Sequence, residues 1–95
     1  MVEYSGVEIP DELLQAAVDY LRAEEKLTEA RRAKSRALQG DMHYWGKWAQ
    51  IESDHQDASM KHRLADLKFH RLLHQADLPR YLVLSAAHKR IHYGV

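Results

Sequence analysis

Histidine supplies most of the reactive side chains of this 95-residue chain: His43, His55, His62, His70, His74, His88 and His92. Two pairs stand at i,i+4 spacing, His70/His74 and His88/His92. On a helix that spacing puts both imidazoles on one face, as zinc or nickel coordination requires. If the chain folds back near Asp77 and Pro79, His88 approaches His70, and Asp66, His70, His74 and His88 become a candidate zinc set. Against this, no His-Glu-x-x-His motif is present, and polar surface histidines beside Lys and Arg explain the same residues without any cofactor. His55 and His62 fall on an apolar seam. There they read as hydrogen-bonded core histidines, or as groups whose protonation would place charge in an interface.

Other chemistries are poorly supplied. With no cysteine there is neither a disulfide framework nor a thiolate zinc site. The chain has no Gly-rich phosphate loop, its serines lack a nucleophile setting, and no paired carboxylates mark a pocket. It is therefore not expected to be an enzyme. No apolar run approaches the roughly 20 residues that span a bilayer, so no membrane partner is expected. The Met-Val-Glu-Tyr-Ser-Gly start has neither a basic nor an apolar signal region, which fits a cytoplasmic protein.

Charge is balanced in total but not along the chain. Residues 1–30 hold eight acids against Arg22 and Lys26, a net of 2 − 8 = −6, and the remainder is +6. Such asymmetry points either to an anionic partner or to internal pairing. For nucleic acid, the candidate contacts are Arg80, Lys89, Arg90, His92 and Tyr93, with Tyr93 stacking on a base. For a protein partner, the candidates are the aromatics at the helix bend and the aromatic and basic residues of the C-terminal end: Tyr44, Trp45, Arg80, Tyr81, Lys89 and Arg90. Trp48, on the seam, is expected in the core.

These residues must be carried by helices, because the composition is rich in Ala, Leu, Glu, Lys, Arg and Gln with only two prolines. Residues 1–9 form a short leader without helical period. Pro10, Asp11 and Glu12 start helix one, which runs over residues 10–39 and stops at Gly40. Its seam has Leu13, Tyr20, Leu27 and Lys34 in one row and Ala16, Ala23, Ala30 and Ala37 in the other. Helix two covers residues 41–77, capped by Asp41. Its rows are Tyr44, Ile51, Ala58, Ala65 and Leu72, and Trp48, His55, His62, Phe69 and Ala76, a coiled-coil period.

With the turn at Gly40-Asp41, facing positions sum to about 81, so that Ala16 meets Ala65, Ala30 meets Ile51 and Tyr20 nears His62. This register also sets the acidic half of helix one beside Lys61, Arg63, Lys68 and Arg71. Leu78-Pro79 breaks helix two, and residues 79–93 form helix three, capped by Asp77.

The resulting fold is all-α: a long antiparallel helical hairpin with an Ala-rich seam, plus a C-terminal helix, completed as a bundle by that helix or by a homodimer. The expected role is a small non-catalytic protein-binding module, an adaptor or an inhibitor or regulator of a larger complex, of the size found in phage and mobile elements. The alternatives are a nucleic-acid-binding accessory protein and a histidine-based metal scaffold.

Overall fold

The computed structural model describes residues 1–40 and 46–93. Its first element is a β-hairpin rather than an irregular leader. Strands β1 (Val2–Tyr4) and β2 (Val7–Ile9) pair antiparallel, with Val2 opposite Ile9 and Tyr4 opposite Val7. Ser5 and Gly6 make the turn at φ 52° and 78°, the positive values that a two-residue hairpin needs. The apolar residues share one face and Glu3 and Glu8 the other. A two-stranded ribbon is marginal by itself, but this one sinks Ile9 completely into the core.

Helix α1 spans Asp11–Leu38. Pro10 is its N-cap residue, and the Pro10 carbonyl accepts from the Leu14 N–H at 3.0 Å. Asp11 and Glu12 occupy the first turn, where the helix dipole favours negative charge. Gly40, at φ 82°, follows the end of the helix and donates to the Ala37 carbonyl at 3.2 Å, the left-handed stop that glycine allows cheaply.

Helix α2 spans Trp48–Ala76, so it starts later than residue 41. Gly46 and Lys47 form a turn just before it, and residues 41–45 of the expected helix, with the Asp41 cap, lie outside the described residues. Trp48 opens the helix 39% exposed instead of lying in the core. Asp77 ends the helix with φ 53°, its N–H donating to Leu73 and His74 carbonyls. It thus closes α2, where the sequence suggests a cap for the next helix. Helix α3 spans Arg80–Tyr93, so Tyr81-Leu82-Val83-Leu84 is helical.

Helices α1 and α2 pack as the expected hairpin, and α3 lies on α1. The core is concentrated at one end. Ile9, Leu13, Leu14, Ala16, Ala17, Val18, Tyr20, Phe69, Val83, Ala86 and Ala87 form one buried cluster, with Ala65 packed against it. Phe69 and Val83 are 0% exposed. Among the described residues, only Leu27, Ala37 and Ile51 are buried outside it.

The far half of the hairpin is correspondingly thin. Ala23, Ala30, Ala33, Ile51 and Ala58 line an open groove of about 500 Å³ between α1 and α2. Alanines expected to let the helices close up instead floor a gap. The molecule is a rod of 51 × 25 × 16 Å with a radius of gyration of 16.5 Å, against about 13 Å for a compact chain of this size.

Cross-hairpin ion pairing is also sparser than the charge pattern suggests. Lys34 reaches Glu52 at 3.2 Å across the hairpin. Lys61 instead pairs along its own helix with Asp57 at 3.0 Å. Among the described residues, Arg63, Lys68 and Arg71 have no carboxylate at ion-pair distance. They lie away from α1, whose acidic first half faces solvent.

Two substitutions test this packing. Phe69→Ala should cost about 3–5 kcal/mol in urea unfolding, because Phe69 is fully buried in the core cluster and its loss leaves a cavity there. A loss under about 1 kcal/mol would contradict the placement of the core. His62 stacks on Tyr20, ring centroids 5.3 Å apart, and its buried Nε2 has no hydrogen-bond partner. His62→Leu removes that unsatisfied atom and should leave stability unchanged or raise it by about 1 kcal/mol; clear destabilisation would mean that the imidazole is satisfied in solution.

Candidate functional site

Helix α2 is built with two apolar faces. Ile51, His55, Ala58, His62, Ala65, Phe69, Leu72 and Ala76 turn toward α1 and are buried or half-buried. Half a turn round the helix stand Met60, Leu64 and Leu67, at i, i+4 and i+7. They are 59%, 62% and 62% exposed. Helical rise spreads them over about 10 Å. A single exposed leucine is ordinary, but a contiguous stripe opposite the core is a feature that folding does not account for.

Basic residues frame the stripe. Lys61, Arg63, Lys68 and Arg71 are exposed around it, and Lys61 is the one held in an ion pair, with Asp57. Asp66, the acid within this stretch, lies half-buried on the inner side. There the His70 Nδ1–H donates to the Asp66 carboxylate at 2.8 Å, with the Asp66 carbonyl 2.9 Å away. His70 also lies edge-on to the Tyr20 ring. The outer face of α2 is therefore apolar along its centre and cationic on both flanks.

Heptad reading of the sequence misses this stripe, because it follows one seam and scores residues out of phase with it as surface. The signal is nonetheless present. Met60, Leu64 and Leu67 keep helical spacing among themselves, shifted by half a turn from Phe69.

The residues singled out from the sequence are distributed differently. Tyr44 and Trp45 lie outside the described residues. Arg80 donates to the Tyr20 hydroxyl at 3.1 Å, and its guanidinium lies 5.8 Å from the Tyr20 ring centre. It pins the start of α3 to α1. Lys89 sits 5.8 Å from the centre of the Tyr4 ring and ties α3 to the β-hairpin. Arg90 is half-buried, whereas Tyr81 and Tyr93 are 74% and 75% exposed. Two of the three cations expected to face a partner or phosphates at the C-terminal end, Arg80 and Lys89, thus make intramolecular contacts while staying exposed.

The proposed zinc set does not come together. His70 is engaged with Asp66 on α2, while His88 packs against His92 with ring centroids 4.2 Å apart. That pair borders a groove formed with Leu21, Glu24, Glu25 and Thr28 of α1. Among the described residues, no three His, Asp or Glu side chains are grouped to hold a metal ion. The α1–α2 groove carries charges of both signs, with Asp19, Glu29, Asp54 and Asp57 beside Arg22, Lys26 and Lys61. It favours no particular ligand charge. No helix among the described residues is long and apolar enough to cross a membrane.

Comparison with known protein families, with curated proteins and with solved structures finds no match to this chain.

Proposed function

We propose that the chain is a small non-catalytic protein-binding module, an adaptor or a regulator of a larger complex, and that the outer face of α2 is its binding surface. The observation that carries this reading is the Met60, Leu64 and Leu67 stripe, exposed on the side of the helix that the core does not use. Leaving three large apolar side chains about 60% exposed forgoes burial worth roughly 1–2 kcal/mol each. A partner surface recovers that energy. The rod shape supports the same reading, since it presents a long, accessible helix with little enclosed volume.

Nucleic-acid binding through the C-terminal end is less well supported. Arg80 and Lys89, though exposed, each lie 5.8 Å from the centre of a tyrosine ring of the same chain, so part of their charge is already engaged.

The test is recovery of partners from nuclease-treated lysate of the native host by the tagged chain and by its Leu64→Asp/Leu67→Asp variant. Both positions are exposed, so circular dichroism should show the same helicity in each. A protein retained after nuclease treatment and reduced about tenfold or more by the variant is the expected result. Equal recovery by both proteins, or recovery abolished by nuclease, would contradict the reading.

A further inference from the structure

The chemistry around the α2 stripe specifies the kind of partner, on the premise that this face binds protein at all. We infer that it receives an acidic amphipathic helix, one whose own Leu, Ile or Met stripe is flanked by Asp and Glu. Two features lead there. The apolar residues stand at i, i+4 and i+7 along about two turns, a ridge that fits the groove of another helix and not a flat or extended surface. The flanks are cationic, and Arg63, Lys68 and Arg71 have no ion-pair partner among the described residues. Carboxylates on the incoming helix would meet them as it docks, steering its approach and fixing its orientation.

The other occupants fit less well. A second copy could offer α1, which is acidic, but Leu13, Leu14 and Leu27 of that helix are already buried in its own fold. A second copy could offer α2 antiparallel about a point between Arg63 and Leu64, matching Met60 to Leu67. That arrangement brings the two copies of Arg63 together beside the two-fold axis. A lipid surface would meet a stripe of three side chains on a helix whose opposite face is committed to α1. Interfacial helices bury a much larger apolar face.

The experiment uses fluorescein-labelled helical peptides and the full chain. One peptide carries Leu at i, i+4 and i+7 flanked by Glu; the second replaces each Glu by Lys; the third replaces each Leu by Ser. At low salt the first should bind about tenfold or more tightly than either control. Leu64→Ala/Leu67→Ala should weaken it about tenfold, Arg63→Gln/Lys68→Gln/Arg71→Gln about fivefold or more, and added salt should weaken it further. Equal binding of the Lys-flanked peptide, or no binding at millimolar peptide, would overturn the inference. So would a Leu64-dependent dimer in sedimentation, or Leu64-dependent binding to phosphatidylserine vesicles. The two readings fail separately: if the lysate partner depends on Leu64 and Leu67 while the Glu-flanked peptide does not bind, the acidic helix is wrong and protein binding stands.

Discussion

The fold depends on what the first three turns of α1 bury. Leu13, Leu14, Ala17 and Tyr20 project from that short stretch, and every other element comes to it. The β-hairpin contributes Ile9, α2 contributes Phe69, and α3 contributes Val83, Ala86 and Ala87. Tyr20 is the most connected of these side chains. Its ring lies 5.3 Å from His62 and 5.4 Å from Phe69, and its hydroxyl accepts from Arg80. A small chain has little apolar area to spend, and here it is concentrated at one end. The rest of the hairpin is held by Leu27, Ala37, Ile51 and the Lys34–Glu52 pair, and half-exposed pairs of that kind contribute at most about 1 kcal/mol.

Concentrating the core in this way leaves the outer side of α2 free of structural duty. The helix is anchored through Phe69 and Leu72, so Met60, Leu64 and Leu67 can vary in identity at little cost to folding. Their apolar character is then not required by the packing of the core. The same separation places the basic flank away from the acidic residues of α1. A charge imbalance that would be neutralised in a tightly interlocked hairpin stays on the surface.

Much of this architecture is legible in the sequence. Pro10, Asp11 and Glu12 mark the start of α1, Gly40 marks its end, and Leu78-Pro79 separates α2 from α3. The seam positions Tyr20 and His62 do meet. The β-hairpin is missed because its two strands are only three residues each, too short for a period to register beside a 28-residue helix, although Ser5-Gly6 between alternating apolar residues is its signature. The start of α2 is misplaced because a heptad row fits Tyr44 whether or not the helix reaches it. The alanine rows are read correctly as inward-facing, but small side chains permit close approach without enforcing it, and over Ala23, Ala30 and Ala58 the space stays open. The outer stripe of α2 is hidden for a related reason: reading outward from the first seam treats Met60, Leu64 and Leu67 as solvated surface.

Native-state hydrogen exchange tests the concentrated core most directly. The slowest amides should fall in residues 13–21, 62–73 and 83–88, with exchange faster by orders of magnitude in residues 30–38 and 48–56, where local opening releases little buried area. Uniform protection along α1 and α2, or slowest exchange at the far end of the hairpin, would contradict it.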